Sequence, residues 1–213
     1  MISIYIVDVS KLTQKQYDVL YFHASPDRKL RADHCRSREN AACCLVSEAL
    51  LRYAVTQSLG LSEFVLQTNP HGKPYLSEWP GFHFNISHSG NWVALASGDT
   101  PVGIDVQQPG DPKRQEGVVR RFFTEAEQRF VFAQPEGRQQ RFLEIWTAKE
   151  SYLKYLGTGL QKPLNSFDVC TMAEPRFYTR WLGESCMTLC TIENGYQISE
   201  IKGESLCVMS TAD

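Results

Sequence analysis

Twice in this chain a long stretch of helical apolar periodicity closes on glycine, and short alternating runs follow it. Over 38–59, Ala42, Leu45, Val46, Ala49, Leu50 and Tyr53 recur at helical spacing, and Gly60 supplies the stop. Over 138–156, Phe142, Trp146 and Leu153 mark an apolar stripe at steps of four and seven, ended by Gly157-Thr158-Gly159. A helix with one apolar face must bury it against a second layer, and the alternating runs are the candidate sheets. Ile2, Ile4 and Ile6 alternate with Ser3, Tyr5 and Val7 as a first strand. Over 82–88, Phe82, Phe84 and Ile86 share one face and His83, Asn85 and Ser87 the other. Ser89-Gly90-Asn91 is a turn into a strand over 92–96, and 102–106 reads as a third strand. The expectation is a three-strand antiparallel meander packed on the preceding helix.

Residues 107–117, with Pro109, Gly110 and Pro112, read as a connector, and the helix-rich stretch that follows has 138–156 as its strongest element. The apolar runs 167–170, 186–192, 196–201 and 205–209 then suggest a second meander. The order repeats, helix before sheet, with a join near 105–117. At 213 residues the chain can form one large domain or two small ones. The expected fold class is α+β, with halves over 1–104 and 105–213.

With 22 Lys and Arg against 24 Asp and Glu, the chain lacks the cationic excess that sequence-independent nucleic-acid binding needs, although local basic clusters could hold a small anion. Its start has neither the cationic region nor the continuous apolar stretch of a signal peptide, and no run approaches the length of a membrane span. A soluble cytoplasmic protein is expected. The seven cysteines, at 35, 43, 44, 170, 186, 190 and 207, form no Cys-x-x-Cys pair and no zinc spacing, and so read as reduced structural thiols.

Several polar residues sit where chemistry could use them. Glu150 falls on the apolar stripe of 138–156, where a carboxylate must be paired, hydrogen-bonded or metal-bound. The plain alternative is a helical pair with Lys154. Asp105 ends a Val-Gly-Ile run whose Gly103 admits a second backbone or a ligand. Ser87, His88 and Ser89 offer groups for phosphate oxygens, and Lys73 lies in a tight turn. A Ser/His nucleophilic pair is disfavoured because neighbours on a strand point apart. Arg28, Lys29, Arg31, Arg36 and Arg38 form a basic run, which is either a phosphate contact or a solvated face. No Walker or dinucleotide loop is present. Two carboxylates for a hard cation plus cations and hydroxyls for phosphates fit a metal-dependent reaction at a polyphosphate. That chemistry leaves phosphodiesterase, nucleotidyl transferase and phosphopantetheinyl transferase open.

The ordered motifs Gly72-Lys73-Pro74, Phe84-Asn85-Ile86-Ser87-His88-Ser89, Gly103-Ile104-Asp105-Val106, the run from Arg121 to Glu127 and the run from Trp146 to Lys154 resemble the surfactin-type (Sfp-type) 4′-phosphopantetheinyl transferases over nearly the whole chain. The resemblance implies two α/β halves about a pseudo-twofold axis, with coenzyme A in the cleft between them. It implies a monomer that moves phosphopantetheine from coenzyme A to a serine of an apo acyl, peptidyl or aryl carrier protein with Mg²⁺. On this pattern Asp105 and Glu150 are metal ligands and Lys154 is the catalytic lysine. Arg28, Arg31, Lys73, Ser87, His88 and Asp105 meet coenzyme A. Gln107 stands at a third metal position, where many relatives carry an acid. It keeps a carbonyl oxygen but removes a charge, so water or the pyrophosphate is expected to fill that place. Glu127 and Lys149 match motif positions without an assigned role. The rivals are a non-catalytic coenzyme A or carrier-binding protein and a metal-dependent phosphohydrolase.

Overall fold

A computed structural model describes residues 1–210 of the chain. The first strand, β1 (Ile2–Asp8), is followed by two short helices, α1 (Gln14–His23) and α2 (Pro26–Asp33), and by the long α3 (Arg38–Leu59). Each helix starts on a hydroxyl cap, Thr13, Ser25 or Ser37, that accepts a backbone N–H of the first turn. α3 ends at Gly60 in the left-handed region, as its sequence demands. A small hairpin, β2 (Leu66–Thr68) and β3 (Pro74–Leu76), leads to β4 (His83–Ser89), β5 (Trp92–Gly98) and β6 (Val102–Gln107).

The expected meander breaks after its second strand. β4 and β5 pair antiparallel, but the other edge of β5 is taken by β1, with Ile6 opposite Ala94. β6 crosses to a second sheet and pairs antiparallel with β8 (Ser185–Thr191), which pairs in turn with β7 (Arg176–Leu182). Alternation tells which face of a strand is buried and says nothing of which edge it pairs with; here the N-terminal strand outcompetes the sequence neighbour.

The connector is also shorter than expected, because α4 (Pro112–Phe122) begins inside it, with Asp111 as cap and Pro112 in the first turn. That proline starts a helix instead of breaking one. α5 (Glu125–Val131) and α6 (Arg138–Leu156) follow, and α6 ends on left-handed Gly157. The run 167–170 is loop, and β7 is a strand that its half-exposed, Arg- and Thr-bearing pattern concealed. β9 (Tyr196–Glu200) does not join the second sheet: it pairs parallel to β1, Ile4 opposite Ile198, giving the order β4-β5-β1-β9. Residues 205–209, expected as strand, lie in α7 (Gly203–Ser210), which packs on α1 and α3. A division at 104/105 therefore cuts through β6, and the chain after residue 195 returns to the first half.

Three apolar clusters hold these layers. α3 covers one face of the first sheet through Leu45, Leu50, Val93 and Leu95. α6 covers the second sheet through Leu143, Leu153, Cys186 and Cys190. Between the sheets, Ile2, Ile4, Ile6, Ala94 and Ala96 meet Val102, Ile104, Val106, Met187 and Leu189. β8 is buried at every residue because α6 lies on one face and the first sheet on the other. All seven cysteines are free thiols, four of them buried. Among the described residues no helix is long and apolar enough to cross a membrane.

Candidate active site

β6 has β8 on one edge, so its other edge would present bare backbone N–H groups. β4 caps that edge with side chains at a period of two. The Ile104 N–H donates to Asn85 Oδ1 (2.8 Å), Val106 to Ser87 Oγ (3.2 Å) and Gln108 to Ser89 Oγ (3.0 Å). The polar face of β4 that the alternation revealed is thus a side-chain ladder joining the two sheets. On its other side β6 lies against α6: a Cβ on Gly103 would run into the Ser151 carbonyl and the Tyr155 amide. What Gly103 admits is a second backbone.

This clamp fixes Asp105, which is 6% exposed. Lys154, in the last turn of α6, donates to Asp105 Oδ1 (2.7 Å), Ser87 Oγ (2.9 Å) and the Ile104 carbonyl (3.1 Å). Ser87 also donates to Asp105 Oδ1 (2.9 Å), so its hydroxyl is saturated. Asp105 Oδ2 is buried with no hydrogen-bond partner among the described residues. Burial holds the Asp105 carboxyl above the usual carboxylate range, against the pull of Lys154 and Ser87. Glu150, one turn before Lys154, makes no helical pair with it and accepts no hydrogen bond among the described residues. Burial and then the charge of Asp105 push its pKa up, Lys154 opposing. Two neighbouring carboxylates with raised affinity for protons, one of them carrying an orphaned oxygen, form a site that a cation would satisfy. Gln107 ends β6 with its amide donating to the Gln108 carbonyl (3.3 Å). Among the described residues no three His, Cys, Asp or Glu side chains gather as a metal site, so Asp105 and Glu150 stand there without a third such ligand.

A cleft of about 260 Å³ opens beside Glu150 and Lys154, lined also by His71, Gly72, Lys73 and Asn85 among others. His88, near the end of β4, keeps an exposed edge, and its pKa is lowered by partial desolvation of the ring, then by the charges of Lys154 and Arg28. Arg28 reaches Glu48 (3.7 Å) with its side chain partly exposed. Arg31 points elsewhere, pairing with Asp27 on the surface of α2 (2.9 Å).

Lys73 is spent on protein. Its ammonium donates to the carbonyls of Lys154 (2.6 Å), Tyr155 (3.3 Å) and Val102 (3.3 Å), and burial lowers its pKa to about 8. Asn69 was not marked by the sequence. It donates to the Gly157 carbonyl (2.9 Å) and accepts the N–H groups of His71 and Lys73 (2.9 Å each). Lys149 and Glu127, from separate motifs, form a fully buried ion pair at 2.8 Å; Lys149 also donates to the Leu164 and Phe167 carbonyls, and Glu127 accepts the Val169 and Thr124 amides. A second concavity, about 320 Å³ between α4 and α6, has as its one carboxylate Glu116, held below the usual range by hydrogen bonds from Arg120 and Arg138. It lacks an acid like Glu150 of the cleft, which accepts no hydrogen bond among the described residues.

Residues 101–201 match the family described as the 4′-phosphopantetheinyl transferase superfamily, and residues 11–100 match the 4′-phosphopantetheinyl transferase N-terminal family. The chain is 34% identical over 162 residues to the 4′-phosphopantetheinyl transferase psf-1 of Bacillus pumilus, covering 74% of this chain and 68% of that protein. It is 33% identical over 161 residues to the transferase Sfp of Bacillus subtilis (strain 168), covering 74% and 71%. It is also 31% identical over 150 residues to the L-aminoadipate-semialdehyde dehydrogenase-phosphopantetheinyl transferase of Xenopus laevis, covering 63% and 50%.

Proposed function

The chain belongs to the Sfp-type 4′-phosphopantetheinyl transferases, and from that premise we propose that it transfers 4′-phosphopantetheine from coenzyme A to a serine of an apo carrier protein. The serine oxygen attacks the phosphorus bearing the pantetheine arm, the pyrophosphate P–O bond breaks, and adenosine 3′,5′-bisphosphate leaves. The observation that carries the reading is a pair of neighbouring acids with oxygens to spare: Asp105, whose Oδ1 is taken by Lys154 and whose buried Oδ2 has no hydrogen-bond partner, and Glu150, which accepts no hydrogen bond among the described residues.

These two carboxylates fit Mg²⁺, a hard cation that takes oxygen ligands and keeps waters. Bound there, Mg²⁺ would neutralise charge on the pyrophosphate oxygens. Water or the substrate would complete its shell, with Gln107 two residues beyond Asp105 along β6. Glu150, whose raised pKa and lack of hydrogen bonds suit a base, takes the proton of the incoming serine. Lys154 holds Asp105 in place and sets a positive charge beside the reacting phosphates. Arg28 supplies positive charge, and His88 a ring nitrogen for hydrogen bonding, where a coenzyme A phosphate would lie.

The test is intact-mass spectrometry of an apo carrier incubated with the protein, coenzyme A and Mg²⁺. One added phosphopantetheine on the carrier, absent with Asp105→Ala and Glu150→Ala, is the expected outcome. An unmodified carrier beside hydrolysed coenzyme A would overturn the reading.

A further inference from the structure

The last turn of α6 leaves carbonyls that the helix itself cannot satisfy, as every helix C-terminus does. Here Gly157 N–H takes the Leu153 carbonyl, and the rest of the capping comes from the other half of the molecule. Lys73 accounts for the Lys154 and Tyr155 carbonyls and Asn69 for that of Gly157. Asn69 also builds the turn that presents Lys73, accepting two of its N–H groups. The same Lys73 ammonium reaches the Val102 carbonyl at the start of β6. One charged group thus ties together β6, which carries Asp105, and the last turn of α6, which carries Lys154 and follows Glu150. Gly157 leaves just the room needed, since a Cβ there would press on the Lys73 stem.

We infer that Lys73 and Asn69 are positioning residues for the transfer step: the hairpin that carries them caps α6 in trans and sets the spacing between the two carboxylates, instead of holding a coenzyme A phosphate. The inference rests on the transferase reading above. A lysine with all three donors on main-chain carbonyls has none left for a ligand. A shift of about an ångström in a catalytic group costs on the order of a hundredfold in rate, so the spacing governs turnover more than affinity.

The test compares wild type with Lys73→Met, which keeps the stem and loses the donors. Asn69→Asp keeps the turn acceptor, loses the Gly157 donor, and serves if Lys73→Met fails to fold. Steady-state kinetics with an apo carrier, calorimetric coenzyme A binding and thermal melting are read for each. The expected result is kcat lower by on the order of 10- to 100-fold for Lys73→Met and less for Asn69→Asp, with KM and Kd for coenzyme A unchanged. A rise in coenzyme A KM and Kd at unchanged kcat would make Lys73 a ligand contact and overturn the inference. Unchanged kinetics with a lower Tm would leave the staple merely structural and overturn it equally. Failure of wild type to modify any apo carrier strikes the transferase reading instead, and the two failures are therefore separable.

Discussion

Ser87 has one hydrogen to give and two lone pairs to receive, and the fold uses all three, on Asp105, Lys154 and the Val106 amide. Ser87→Ala would leave a buried N–H unpaired at a cost of about 1–3 kcal/mol and free Asp105 to turn. Urea unfolding should show that loss, and a Mg²⁺ titration of activity should shift to higher concentration; an unchanged titration would mean Asp105 is held without Ser87. At position 107 the reverse shift is expected. Gln107→Glu adds a carboxylate beside a hard dication and should lower the Mg²⁺ needed for half-maximal activity. For Glu150 activity and stability should move in opposite directions. Its folded pKa lies above the unfolded value, so its ionisation in the folded state opposes folding, increasingly as pH rises out of the acid range. In metal-free buffer Glu150→Gln should therefore be more stable than wild type at pH 7, with the gap closing below pH 4 to 5, while losing transfer activity. Equal melting curves at both pH values would remove the burial argument.

At the scale of elements, the contact between β6 and α6 is backbone on backbone at Gly103. Gly103→Ala must push the helix off the strand and should cost about 1–3 kcal/mol or more, lowering Tm and kcat together because the two elements carry opposite sides of the site. The Lys149–Glu127 pair does comparable work at the far face of α6, tying it to α5 and to the loop after residue 163. Removing one partner of a buried pair costs about 3–5 kcal/mol, whereas removing both costs less, so Lys149→Met should be partly rescued by Glu127→Leu. Urea denaturation of both single variants and the double would show additive losses if the pair were not coupled.

At the scale of the whole molecule, the chain closes on itself. β9 covers the edge of β1, and α7 packs on α1 and α3, although both lie beyond residue 195, at the end of the described chain. Cutting after residue 195 would bare a hydrophobic sheet edge in the first half. Such a variant should melt at lower temperature and with a broader transition by circular dichroism, even though every proposed catalytic residue remains; an unchanged melt would make the return strand dispensable.

Local physics alone determined both long helices. Apolar spacing with a terminal glycine marks 38–59 and 138–156 to the residue, since caps and periodicity act within one turn. Glu150 stood out for a related reason, since a carboxylate on an apolar face has to be accounted for wherever the chain goes, whereas Asp105 was marked by its place at a strand end and a role for Lys154 came only with the family resemblance. The partner of each polar group was not legible. Glu150 and Lys154 stand one turn apart, yet Lys154 bonds Asp105, and Lys73, read as a phosphate contact, caps a helix from the other half. Period-two polarity exposed Asn85, Ser87 and Ser89 but could not say that they face the bare edge of β6. Strand β6 left its neighbours and β9 came back to β1 because sheet edges are filled by whichever strand long-range packing brings to them. Sequence periodicity records which side of an element is buried; only the tertiary structure decides against what.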